Sequence, residues 1–243
     1  MQHSNLHTFR FIAIISIIAA LVLSSASQLL RKQQELNVEI DMKKNILTAF
    51  ELLKKEDCND IKKCYNAYIK SYVINSKGEK VTHISEPEKI DIQKELEKPV
   101  QKRRFPVFIK LIDNKPKAYC IPLLGKGLWS TLYGYLALEK DLNTVLGVTF
   151  YKHAETPGLG AEIEKEWFLK NFKGKKIFTD TGTLASIKVL KGKVNLKSTT
   201  KQHEVDGISG ATLTANGVTK AIKDCLTIYL PLFKILNKPE KKE

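Results

Sequence analysis

Residues Phe11 to Leu30 read FIAIISIIAALVLSSASQLL and carry no charge. A helix of twenty residues at about 1.5 Å per residue reaches ~30 Å, the thickness of a bilayer core. Arg10 stands before the run, and Arg31 and Lys32 close it. It therefore reads as one transmembrane helix. Two other readings remain open at this point. Ser24-Ser25-Ala26 offers small residues at which a signal peptide could be cleaved, and a buried core helix would also be apolar. Charge does not fix orientation. Arg10 alone precedes the run, against Arg31, Lys32, Lys43 and Lys44 after it. That count taken alone keeps the C-terminal bulk inside.

The rest of the 243-residue chain has room for one large or two small domains. Lys and Arg number 40 against 26 Asp and Glu. That excess excludes an acidic disordered tail. The basic residues are spread along the chain rather than massed, so no nucleic-acid partner is expected. The four cysteines, at 58, 64, 120 and 225, form no CxxC pair. Neither a zinc or iron–sulfur site nor a disulfide-built scaffold is expected.

Leu36, Ile40, Leu47, Phe50 and Leu53 recur at helical spacing between charged residues. This predicts an amphipathic helix over 33–56 that connects an N-terminal segment, 1–32, to a soluble domain, 57–243. Residues 75–104 are polar and contain Gly78, Pro87 and Pro99, so loops and short irregular pieces are expected there. From Phe105 onward PVFIKLI, KAYCIPLL, YGYLALE and VLGVTFY are short, β-branched and aromatic, which predicts strands; SIKVLKG at 186–192 reads as another. Helices are predicted over 163–172 and 214–229. The fold class is α+β, a mainly antiparallel sheet with flanking helices.

Three clusters carry chemistry. The first is DGISGATLTANGV, residues 206–218. Val218, Ala221, Ile222, Cys225, Leu226 and Tyr229 mark one helix face ending before Pro231, and Thr214 stands where an N-cap would stand. A helix start behind two glycines is a favourable place for a phosphate, and equally an ordinary capped helix after a turn. The second is HAETPGLG, residues 153–160. Glu155 and Thr156 could meet the polar edge of a flat heteroaromatic ligand and Leu159 its face, or the segment simply ends a strand. His153 reads as a surface or packing residue. The third is GKGLWSTLYG, residues 125–134. It lacks the GxxxxGK[ST] of a phosphate loop, and Trp129 and Tyr133 are expected as core or wall residues.

Together these clusters resemble the FMN-binding C subunit of the sodium-translocating NADH:quinone oxidoreductase, over residues 115–230. DGISGATLT fills every position of the flavinylation pattern: Asp206, Ser209, Gly210, Ala211, Thr212 and Thr214. ETPGLG and GKGLWST match as well. The resemblance implies FMN esterified through its phosphate to Thr214, with Ser209, Gly210, Ala211, Thr212, Glu155, Thr156, Gly158 and Leu159 about the cofactor. It implies an electron carrier, inactive alone, in a six-subunit complex (partners A, B, D, E and F) that oxidises NADH, reduces quinone and exports sodium. A flavin transferase using FAD is implied for maturation, since nothing in the chain reads as a base or nucleophile able to make the bond. The domain is implied to lie on the periplasmic side of a bacterial inner membrane, against the charge count; long domains translocate largely regardless of charge. There Cys58 and Cys64 could oxidise to a disulfide. Alternatives are the G subunit of an Rnf-type ferredoxin:NAD oxidoreductase, which shares the ETPGLG and GAT-type motifs, a stand-alone extracytoplasmic flavin carrier, and a non-redox basic adhesion or scaffold module.

Overall fold

A computed structural model describes residues 5–55 and 58–237. The chain divides into two units, Met1–Met42 and Lys43–Glu243. In the first unit, helix α1 (Asn5–Ala49) begins. All its residues from 5 to 38 are exposed, including Phe11, Ile14, Ile18, Leu21 and Leu29. A helix apolar on every side matches a lipid surround rather than water, and by length and composition this one can cross a membrane.

In the second unit the last turns of α1 become core: Ile46, Leu47 and Ala49 are buried. The helix stops because Glu51 takes a φ of +55°, the left-handed conformation that ends helices and usually falls to glycine. Lys173 pairs with the Glu51 carboxylate. A short α2 (Leu52–Lys55) follows. In α3 (Ile61–Tyr68), Asp60 caps the start by accepting from the amides of Lys62 and Lys63. Cys58 and Cys64 are disulfide-bonded.

Six antiparallel strands form the sheet: β1 (Ile69–Asn75), β2 (Lys80–Val81), β3 (Arg104–Ile112), β4 (Lys115–Lys126), β5 (Thr131–Glu139) and β6 (Val145–Lys152), in the order β2-β1-β3-β4-β5-β6. The four strands predicted from Phe105 onward are all present. β1 was not predicted. Between β2 and β3 lie 3-10 turns at 87–89 and 100–102 and the one-turn α4 (Ile92–Glu97), as the broken sequence leads one to expect. Along β4 the side chains alternate: Tyr119, Ile121 and Leu123 join the main core, while Cys120 faces Phe108 and Ala137 in the neighbouring strands.

Two predicted elements differ. Residues 163–172 are not one helix but a 3-10 turn (Gly160–Glu164), a single turn α5 (Glu166–Leu169) and a further 3-10 turn (Lys170–Phe172). Burial of Ile163, Phe168 and Phe172 against the sheet outweighs helical continuity. The stretch 186–192 yields only β7 (Lys188–Val189), parallel to β8 (Glu204–Val205).

Helix α6 (Thr212–Leu236) lies along β4. All six residues of its predicted face are buried, and the Tyr229 hydroxyl donates to the Pro106 carbonyl at 2.8 Å. The helix does not end before Pro231 as predicted. An interior proline costs roughly 3 kcal/mol, but burial of Leu232 and Phe233 offsets it at roughly 1.5–3 kcal/mol each.

Candidate functional site

The site forms where three segments meet: the β4–β5 loop, the loop after β6, and the start of α6. Its centre is the Glu155 carboxylate, which is 5% exposed. Three successive backbone amides donate to it: Leu128 at 3.2 Å, Trp129 at 3.0 Å and Ser130 at 3.3 Å. The Thr214 hydroxyl, 1% exposed, donates to Glu155 Oε2 at 2.5 Å. The glycine-rich 125–130 stretch is thus an anion nest, filled by a carboxylate of the same chain.

Glycines permit this approach. A Cβ on Gly127 would stand 2.5 Å from Glu155 Oε1, and one on Gly160 would stand 2.6 Å from Thr214 Oγ1. Gly217 brings α6 onto the backbone of Lys126 and Gly127, and Gly125 meets Ala221. Thr214 is not the N-cap. Ala211 is, it offers no side-chain cap, and Thr214 is the third residue of the helix. The Ser209–Gly210 turn, with Gly210 at φ +72°, turns the chain into α6, and Thr212 is half-buried at its first position. Thr214 lies two residues inside the helix start, and its hydroxyl donates to Glu155 rather than capping.

Four exposed apolar side chains flank this centre: Leu128, Trp129, Leu159 and Leu213. Trp129 is 70% exposed, contrary to the expectation of a core or wall residue. Its neighbour amides serve Glu155, which holds the loop so that the indole points outward. Leu159 leans on Gly210. Thr156 is exposed, and its carbonyl accepts from Leu159 and Ala161 to shape the loop, with Gly158 at φ +74°. His153 Nδ1 accepts the Glu155 amide, and its Nε2 lies 3.4 Å from Glu164. Asp206 does not join the cluster. It accepts from the Val194 amide at 2.8 Å and the Lys193 ammonium at 2.9 Å, while the Gly207 amide donates to Gly192. It therefore fastens the 188–194 strap to the turn before α6. Leu128, Leu213 and Gly217 were not singled out from sequence. Gly217 left a signal as a glycine inside a helical pattern, but contact across segments gives each its meaning.

Burial pushes the Glu155 carboxyl up, yet hydrogen bonds from Thr214 and the amides of Trp129, Leu128 and Ser130 outweigh it and hold the carboxyl below the usual range. A carboxyl lowered by folding stabilises the protein above its unfolded value, roughly pH 4.3, and loses that contribution as pH falls through the folded value. The melting temperature of the parent is therefore expected to fall more steeply below about pH 4.3 than that of Glu155→Gln. Equal slopes in thermal melts would show that folding does not lower the Glu155 carboxyl.

The donor set suits a flavin mononucleotide. An uncapped helix start presents free amides and partial positive charge to a phosphate, and the apolar side chains around it suit a ring.

Residues 127–227 match the FMN-binding domain family. The C subunit of the Na(+)-translocating NADH-quinone reductase of Pseudomonas aeruginosa is 30% identical over 234 residues, covering 89% of each chain. That of Haemophilus ducreyi is 31% identical over 231 residues, covering 89% of this chain and 87% of its own. Among solved structures, the same subunit of Parabacteroides distasonis superposes with a TM-score of 0.73 at 35% identity, covering 87% of this chain and 98% of that one. With matches running nearly end to end in sequence and agreeing in fold, the chain belongs to the C-subunit family of the Na(+)-translocating NADH-quinone reductase.

Proposed function

We propose that this chain is the subunit of a sodium-exporting NADH:quinone oxidoreductase that holds FMN covalently through Thr214 and passes electrons within the complex. The observation that carries the reading is the placement of Thr214. Its hydroxyl lies in the first turn of an uncapped helix, bonded to Glu155 where the segments that carry the exposed Leu128, Trp129, Leu159 and Leu213 meet. The complete flavinylation pattern supports the same residue.

Bound FMN supplies the redox chemistry. The chain supplies position. The first-turn amides of α6 and the Ser209–Thr212 turn receive the phosphodiester, and the helix dipole adds roughly 0.3–1 kcal/mol for a single negative charge. Leu159 and Trp129 are the side chains that would hold the ring and shield it from water, with Thr156 and Gly158 shaping the loop that carries Leu159. Glu155 acts from behind Thr214. The apolar helix anchors the chain in the inner membrane by one pass, with the flavin domain on the periplasmic side. The five other members of the complex are its partners, and a flavin transferase matures it. A Cys58–Cys64 disulfide supports the oxidising compartment.

Full-length protein made with a flavin transferase should gain the mass of one FMN less one water, and peptide mapping should place it on Thr214. An unmodified intact mass counts against the reading. Leu159→Ala and Trp129→Ala should keep that mass but change the flavin spectrum and redox potential. Spectra and potentials identical to the parent would put the ring elsewhere.

A further inference from the structure

We propose that Glu155 is the base that takes the proton of Thr214 when the flavin is attached, so that this chain supplies a catalytic residue for its own modification. The inference rests on the reading of Thr214 as the attachment point.

A threonine hydroxyl is a weak nucleophile and needs an acceptor for its proton as it attacks. Here the acceptor is already in place: Thr214 Oγ1 donates to Glu155 Oε2 at 2.5 Å, the range of hydroxyl–carboxylate hydrogen bonds. The carboxylate is aimed by three amides from a different segment, 128–130. Those amides, together with the hydroxyl, keep it ionised at neutral pH. A carboxylate of ordinary or low basicity serves this task in protein kinases, where the catalytic-loop aspartate accepts the proton of the substrate hydroxyl.

The step balances without any redox change. Thr214 Oγ1 forms a bond to the flavin-side phosphorus of FAD as the bond from that phosphorus to the bridging oxygen breaks. AMP leaves with that oxygen. The proton of Thr214 moves to Glu155 Oε2 and from there to water. The ester oxygen then has no hydrogen to offer, so Glu155 faces an acceptor, and the close contact has to open. Glu155 favours the unmodified chain as a reactant and gives no hydrogen bond to the product.

Access to Thr214 requires the covering segment to lift. Gly160 lies directly over the hydroxyl, while Gly158 has open space around it and Leu159 is exposed. Glu155 is anchored separately to 128–130, so residues 157–160 can move without taking the carboxylate with them.

The test uses the full-length chain in detergent, a flavin transferase and FAD, with the initial rate of covalent incorporation read by fluorescence of denatured bands and by intact mass. Glu155→Gln should slow incorporation by about 10²–10⁴-fold, the usual worth of a positioned base. Glu155→Asp should recover most of the rate lost in Glu155→Asn, since the two differ only in the ionisable oxygen. Tyr229→Phe, which loses a buried hydrogen bond far along α6, should melt earlier yet incorporate at close to the parent rate. The proposal is overturned if Glu155→Gln stays within tenfold of the parent, if Asp and Asn at 155 react alike, or if rates across the set simply follow melting temperature. Should Glu155→Gln fail to fold, the Asp and Asn pair decides. Thr214→Ala run alongside separates the two readings. Flavin retained on it removes the attachment point and this proposal together. A flavin-free Thr214→Ala beside a fast Glu155→Gln removes the base alone.

Discussion

Alanine at position 214 is expected to leave a folded chain that holds no covalent flavin. The change removes the one hydroxyl that α6 offers beside Glu155. The fold should tolerate it. Glu155 loses one donor but keeps three backbone amides, and a single net hydrogen bond is worth about 0.5–1.5 kcal/mol, or up to about 3 kcal/mol where one partner is charged. Loss of attachment should therefore be complete while the melting temperature moves only modestly. Thr212→Ala, at the first position of the helix, should weaken modification without moving it. Denaturing gels under ultraviolet light report both results, and a fluorescent Thr214→Ala band would sink the assignment.

Gly217→Ala is expected to destabilise the protein and lower flavin attachment, although alanine is the better helix former. In an exposed helix the exchange gains about 0.5–1 kcal/mol. At this position the new methyl would meet the Lys126 carbonyl and stand 3.1 Å from Gly127 Cα. These are backbone atoms of the loop that holds Glu155, and they cannot swing aside as a side chain would. Overpacking of this kind costs roughly 1–3 kcal/mol or more, so the steric term wins. Relief comes by tilting the start of α6 away from the loop, which carries Thr214 out of reach of Glu155. Chemical denaturation should show lower stability, and intact mass should show reduced flavin. A Gly217→Ala protein more stable than its parent would mean that α6 does not rest on this loop.

The sequence made the strands legible because VLGVTFY or YGYLALE can only satisfy their β-branched and aromatic side chains on a half-buried pleated surface. The buried face of α6 was legible for the same kind of reason, a 3.6-residue period. What escaped was decided between segments. Tyr72, Val73 and Ile74 of β1 form too short a run among lysines to announce a strand, and only pairing with β3 makes them one. Pro231 reads as a stop until Leu232 and Phe233 are seen in the core. Glu155 and Thr214 could each be named from their motifs. That one carboxylate binds both the amides of Leu128, Trp129 and Ser130 and the threonine hydroxyl required the three segments in space. Trp129 was misread because an aromatic residue beside a strand usually packs inward.

The two outer strands of the sheet limit how this chain can associate. β2 has only two residues. β6 is bonded at its start to 174–175, is interrupted by register shifts against β5, and is flanked by the 160–172 turns. Neither margin offers the long flat ladder of free amides and carbonyls that recruits a strand from another molecule. Short and irregular margins of this kind disfavour main-chain pairing with neighbouring chains, and with it fibrillar stacking. What they can grip is side chains, and around Thr214 the exposed apolar ones include a tryptophan and three leucines.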